Sequence, residues 1–196
     1  DYPLGDTPGL TAYYYALTAP EVLPDFATLS PYLTTTSANV NFSSTTGTFA
    51  NSNRSDNVGA LWTGWLKVDQ PGSYQFSLTS DDGSRLRIGG SSIVDNNGLH
   101  GMQEATGSIA LAAGKHRISI EFFEAGGGAG CIAQLQGPGM TKAPIPASRF
   151  TKGGTQFRFD LSGDGRVNGV DLGIFLGLWG SPGGPADFNF DGIVDG

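Results

Sequence analysis

Apolar and polar residues alternate along much of the first 150 positions. Tyr74, Phe76 and Leu78 fall on one face of SYQFSLT, Ile118, Ile120 and Phe122 on one face of HRISIEFF, and Ile109 and Leu111 on one face of SIALAA. A period of two is the strand pattern, one face toward a core and the other toward water. Turn sequences punctuate these stretches: Asp69-Gln70-Pro71-Gly72, Asn96-Asn97-Gly98 and Ala113-Gly114-Lys115. Leu61 to Val68 reads as a further strand, in which Gly64 marks a bulge or the close approach of another backbone. The segment from Tyr13 to Leu33 keeps no clean period and predicts no particular element. Antiparallel strands at this spacing predict a mostly β domain, a barrel or sandwich of about 140 residues.

The period changes near the C-terminus. Leu172, Phe175, Leu176 and Trp179 fall at i, i+3, i+4 and i+7, the apolar face of a short helix that Gly180 and Pro182 end. Before this helix stands a twelve-position pattern that suits calcium. Asp160, Ser162 and Asp164 take positions one, three and five, and Gly165 provides the sharp turn at six. Arg166 offers its carbonyl at seven, Asn168 stands at nine and Asp171 closes the shell at twelve. The pattern recurs 27 residues later with Asp187, Asn189, Asp191, Gly192, Ile193 and Asp195, and the sequence ends at Gly196, before its twelfth position. The second copy is therefore expected to hold calcium weakly or not at all.

A calcium loop followed by a helix, with no helix signal in front, differs from an ordinary EF-hand. This unit, repeated once over residues 160–196, resembles the dockerin module. The resemblance implies calcium binding and calcium-dependent docking to a cohesin-like protein; the other reading is a calcium staple without a partner. The expected organisation is a β domain over residues 1–152, a linker over 153–159, and an incomplete dockerin-like module over 160–196.

Charge sharpens this picture. Of the net charge of −7, most lies in residues 160–196, which hold six Asp against one Arg; the rest holds 12 acidic against 10 basic residues. The acidity is metal-ligand chemistry more than a solubilising tail. No basic patch exists to draw nucleic acid or anionic lipid. The single cysteine, Cys131, has no partner for an internal disulfide and lies in an apolar stretch, where a small buried side chain is expected. The longest apolar run, Leu172 to Trp179, is far too short for a bilayer. Asp1 reads as a mature start without a signal peptide, and a monomer is expected.

GLTAYYYAL, RSDNVGALWTGWLKVDQPGSYQFSLTSDDGSRLRIGG, VDNNGLHGMQEATGSIALAAGKHRISIEFFEAGGGAG and GPGM together are similar to the anthrax protective-antigen-like domain, the PA-fourteen family. The similarity covers roughly residues 8–150. It implies a β-barrel, which in several branches binds glycans through calcium held by two adjacent Asp residues joined by a cis peptide. The matching positions are Asp81 and Asp82. Without the resemblance, these read as an Asp-rich turn whose side chains are solvated or cap backbone N–H groups. The adhesin branch adds an Asn from a later loop. Here that loop is Glu124-Ala125-Gly126-Gly127-Gly128-Ala129-Gly130, without Asn, so Glu124 or carbonyls near Gly127 and Gly128 would substitute. His100 stands either on the rim of such a site or as a structural turn histidine. Trp62 and Trp65 read as core more than sugar platforms, and their odd spacing allows only one of them onto the core face.

Catalysis has little to build on. The chain has two histidines, His100 and His116, and lacks a G-x-S-x-G elbow, a phosphate-cradling loop and zinc spacing. Asp81 and Asp82 are too close to serve as the two separated carboxylates of a glycosidase. No catalytic residue is assigned. Two functions of different class remain. One is a calcium-dependent carbohydrate-binding or adhesion module within a larger secreted or surface-attached bacterial protein acting on polysaccharide. The other is a structural and assembly module in which calcium is only a staple.

Overall fold

The computed structural model describes residues 7–152, 161, 169–182, 186, 193 and 194. Thirteen strands are present: β1 (Thr7–Pro8), β2 (Leu10–Ala16), β3 (Leu33–Ser37), β4 (Asn41–Thr45), β5 (Val58–Val68), β6 (Gly72–Asp81), β7 (Ser84–Ile88), β8 (Ser91–Asn96), β9 (Gln103–Leu111), β10 (Gly114–Glu124), β11 (Ala129–Gly137), β12 (Met140–Pro144) and β13 (Phe150–Lys152). The irregular segment from Tyr13 to Leu33 runs from the second half of β2, through a 3-10 turn at Phe26–Thr28, to the first residue of β3.

The strands form two sheets. The larger runs β1-β13-β5-β10-β7-β8, with β2 joined to β5 and β3 to β2; the smaller runs β12-β11-β6-β9, with β4 on β11. All the ladders are antiparallel. Among the described residues no ladder joins the sheets, so of the two expected architectures the sandwich is formed, and the closed barrel that the resemblance implied is not. The alternation explains the outcome. Each long strand has one apolar face, and the two apolar faces are satisfied by each other without closure.

That shared core holds Trp62, Leu66, Ile118, Ile120 and Phe122 from the larger sheet and Tyr74, Phe76, Leu78, Cys131 and Leu135 from the smaller. Burial pushes the Cys131 thiol up, away from its reactive form. Trp62 is fully buried and stacks on Phe42, with Phe49 and Tyr14 edge-on. Trp65 lies on the opposite face, under the guanidinium of Arg117. Gly64 marks a close approach: a Cβ there would stand 2.7 Å from Leu10 Cδ2 and 2.8 Å from the Thr151 carbonyl oxygen.

The C-terminal helix α1 spans Gly169–Leu178, the one α-helix among the described residues. Gly180 follows with a positive φ of 77°, and Pro182 bridges Ile193. Leu172, Leu176 and Trp179 are exposed. The calcium-loop positions Asp160, Ser162, Asp164, Arg166, Asn168, Asp187, Asn189, Asp191 and Asp195 lie outside the described residues. Of that set, Asp171 falls within α1 and Ile193 in the bridge to Pro182. Among the described residues no helix is long and apolar enough to cross a membrane.

Where β9 passes β8, Gly107 is indispensable, because a Cβ there would stand 1.7 Å from the Ile93 carbonyl oxygen. Gly107→Ala is expected to cost about 2 kcal/mol or more, read by chemical denaturation. Gly101→Ala, at a position with open space, is the control and should lie within about 0.5 kcal/mol of the parent protein.

Candidate functional site: a carboxylate cluster at one end of the sandwich

Asp81 ends β6 and Ser84 begins β7, so Asp82 and Gly83 form a tight link between the two sheets. The Asp81–Asp82 peptide bond is cis. Gly83 must be glycine, since a Cβ there would lie 2.4 Å from Phe123 Cε1 and 2.8 Å from the Gly98 nitrogen. A buried polar knot braces the link from inside. Ser80 Oγ and Ser84 Oγ are 2.7 Å apart, and Asn96 Nδ2 donates to Ser80 Oγ and to the Gln103 carbonyl, each at 3.0 Å.

Asp82 is 7% exposed and ties two loops together. Its Oδ1 accepts the His100 N–H from the β8–β9 loop at 3.0 Å, and its Oδ2 accepts the Ala125 N–H from the β10–β11 loop, also at 3.0 Å. His100 thus reaches the site through its backbone. Its ring is turned onto its own loop, with Nε2 2.9 Å from the Asn96 carbonyl and Nδ1 3.0 Å from that of Gly101.

Glu124 completes the cluster as the last residue of β10. It is 0% exposed, and neither carboxylate oxygen has a hydrogen-bond partner among the described residues. One oxygen from each of Asp81, Asp82 and Glu124 lies within 4.8 Å of the others. Burial pushes the Glu124 carboxyl up to about 7, with the charges of Asp82 and Asp81 adding to the shift. The backbone N–H groups of Gly126 and Asp82 oppose it, without reaching hydrogen-bond geometry. Asp81 is raised by burial first and by Asp82 second, and His100 opposes.

The glycine loop folds over this cluster. A Cβ on Gly128 would stand 2.9 Å from Asp81 Oδ2, so only glycine permits that approach. Gly127 has a φ of 107° and donates its N–H to Asp56 Oδ1 at 3.3 Å. The structure therefore brings Asp81, Asp82, Glu124, Gly128 and the His100 backbone together, while Gly127 turns to Asp56. Asp56 is a loop-holding residue that sequence reasoning missed. It lies 71 residues from its partner, and nothing in local spacing points to it.

An all-oxygen set with unpartnered buried atoms fits a hard divalent cation. Such a carboxylate requires either a proton or a cation nearby.

The PA14 domain family model matches residues 6–149, and this chain belongs to that family. Solved structures with the same fold include a PA14 sugar-binding domain from an RTX adhesin, with TM-score 0.65 and 22% identity over 75% of this chain and 99% of that one. Epithelial adhesin 6 A domain from Candida glabrata, solved with Galb1-3GlcNAc, gives 0.61 and 14% over 77% and 90%. An anti-sigma factor domain-containing protein from Clostridium clariflavum gives 0.64 and 20% over 75% of this chain, which spans 48% of that protein. No curated protein sequence matches the chain.

A sign follows for pH. The folded state holds the Glu124 proton well above the ordinary value of 4.5, up to about 7, while the unfolded chain releases it near 4.5. Between those values the folded state binds more protons, so stability falls as pH rises and levels off above about 7. Asp81 adds a slope of the same sign starting lower. In chelator-treated protein, denaturation midpoints should drop from pH 5 to 7.5, and Glu124→Gln should flatten most of that slope. Parallel profiles for the two proteins would contradict the assignment.

Proposed function

We propose that this chain is a non-catalytic, calcium-dependent carbohydrate-binding module of a larger extracellular or surface-attached bacterial protein. The observation that carries the reading is Glu124, fully buried with two unpartnered oxygens beside Asp81 and Asp82. Asp81, Asp82 and Glu124 would hold the ion. Calcium, when bound, offers open coordination places that a vicinal diol fills. The chain's own part is positional. Asp82 fixes both loops through the His100 and Ala125 N–H groups, so the carboxylates are aligned before an ion arrives. Gly128, lacking a Cβ, lets the glycine loop pack against the Asp81 carboxylate. Membership of the PA14 family and a shared fold with a sugar-binding domain of an RTX adhesin and with an adhesin solved with Galb1-3GlcNAc support a glycan as the ligand.

Binding rather than catalysis is favoured by the two histidines. Nε2 of His100 and Nε2 of His116 both lie against backbone carbonyls, which leaves no ring poised toward the carboxylates.

In the same reading residues 160–196 form a separate dockerin-like module after a linker. Its first loop holds calcium through Asp160, Ser162, Asp164, the Arg166 carbonyl, Asn168 and Asp171. The exposed Leu172, Leu176 and Trp179 favour docking to a cohesin-like protein. The competing assignment makes the whole chain a spacer with structural calcium alone.

A glycan array separates the two. Binding should appear in calcium, vanish in chelator, and be lost in Asp82→Asn together with at least tenfold in calcium affinity for the sandwich site. Asp164→Ala, which removes a ligand of the C-terminal loop, should abolish that loop's calcium in calorimetry and leave the glycan signal intact. Chelator-insensitive glycan binding, or none on any array, would defeat the lectin assignment.

A further inference from the structure

Between β2 and β3 the chain crosses the outer face of the larger sheet, the face turned away from the shared core. Tyr15, Gly59 and Phe123 stand in one row there, across β2, β5 and β10. Gly59 leaves a trough in that row, and Phe26 and Leu17 fill it. A Cβ on Gly59 would stand 2.9 Å from Phe26 Cε1 and 3.3 Å from Leu17 Cδ1. Phe26 also packs on Tyr15, with ring centroids 4.9 Å apart. Tyr15, Phe26 and Phe123 are buried, yet they lie outside the shared core. Residues 17–32 are therefore a strap over a second, smaller core behind Glu124.

The polar attachments of this strap lead to one place. Asn57, at a φ of 51°, accepts the Leu17 N–H on its carbonyl at 2.9 Å and the Ala19 N–H on Oδ1 at 2.8 Å. Its own N–H donates to the Ala125 carbonyl at 3.2 Å. Farther along the strap, Asn97 Oδ1 accepts the Leu23 N–H at 2.7 Å. Ala125 and His100, the latter in the same loop as Asn97, are the two N–H donors to Asp82. These bonds close a ring. It runs from Asp82 through the β10–β11 loop to Asn57, along the strap from Ala19 to Leu23, and through Asn97 and the β8–β9 loop back to Asp82. Asp82 ties the two loops from inside, and the strap ties the same two from outside. Neither asparagine oxygen is bonded to the carboxylates, so each acts through the loops.

We propose that Asn57 and Asn97 are positioning residues of the carboxylate site. Through the strap they hold the β8–β9 and β10–β11 loops at a fixed separation, so a break at either asparagine loosens both loops. The consequence for ion affinity rests on the calcium reading above; the coupling of the loops does not.

Amide hydrogen exchange and calcium calorimetry on the full chain test the two parts. Asn97→Ala removes one acceptor, and Asn57→Gly removes the other while suiting the left-handed backbone. Asn97→Asp and Asn57→Asp keep the oxygen. In chelator, Asn97→Ala should speed exchange at Leu23 and also at Ala125, on the far loop, about tenfold. Asn57→Gly should do the same at Ala19 and at His100. Amides in the middle of the β5–β10 ladder should keep the parent rate, and the Asp variants should restore slow exchange. The double variant should loosen the loops little more than either single change, because a ring opened once is already open. Calcium affinity should fall about three- to tenfold in the Ala and Gly variants and recover in the Asp variants. Faster exchange confined to Leu23 in one variant and Ala19 in the other would overturn the inference. So would faster exchange spread evenly through the β5–β10 ladder, or calcium affinity that the Ala and Gly variants leave unchanged. Coupled exchange in a protein that binds no calcium at the sandwich site would uphold the ring and defeat the ion-site reading.

Discussion

The pairing of β5 with β10 runs in unbroken register from Val68↔Gly114 to Val58↔Glu124, and the rest of the larger sheet is built outward from it. β2 and β13 attach to β5, and β7 attaches to β10. The register presents Trp62, Ile118, Ile120 and Phe122 to the smaller sheet, and it also fixes where the ladder stops. At that end the Phe123 N–H donates to the Gly83 carbonyl at 2.9 Å, and Phe123 fills the space that a side chain on residue 83 would need. Core packing therefore places Asp82 beside Glu124. The site is an outcome of the sheet register as much as of its own residues.

What results is an electrostatic conflict. Glu124 is removed from water with neither oxygen hydrogen-bonded among the described residues, and two more carboxylates lie close by. Desolvation and like charge both oppose ionisation and push the Glu124 carboxyl up, and a divalent cation at the same place would relieve both. The loops around the cluster are held by backbone donors on Asp82 and by Asp56. A site held ready in this way loses little conformational freedom on binding.

Much of this was legible in the sequence where the signal is local. Alternation placed Tyr74, Phe76, Leu78, Ile118, Ile120 and Phe122 on core faces, and the glycine turns fell where strands end. Asp81 and Asp82 stood out through the family resemblance, and Glu124 through its place at the head of the glycine loop. The choice between sandwich and barrel was not legible, because alternation specifies one apolar face and says nothing about what covers it. The early segment kept no period because most of it is not strand: between β2 and β3 the one regular element among the described residues is the 3-10 turn at Phe26–Thr28. Asp56 gave no signal at all. It reaches the glycine loop from a segment 71 residues away, and only the folded register brings the two together. His100 was legible as a position with two readings, and its ring, bonded to carbonyls of its own loop, is that of a turn histidine while its backbone N–H reaches Asp82.

The central claim is that Asp81, Asp82 and Glu124 share one divalent ion. Anomalous diffraction from crystals of the full chain grown in calcium tests it most directly. The account requires a peak among these three carboxylates, with an oxygen of each in coordination range, about 2.3–2.6 Å. A structure from saturating calcium with no peak there, and Glu124 instead hydrogen-bonded as a neutral acid, would contradict it.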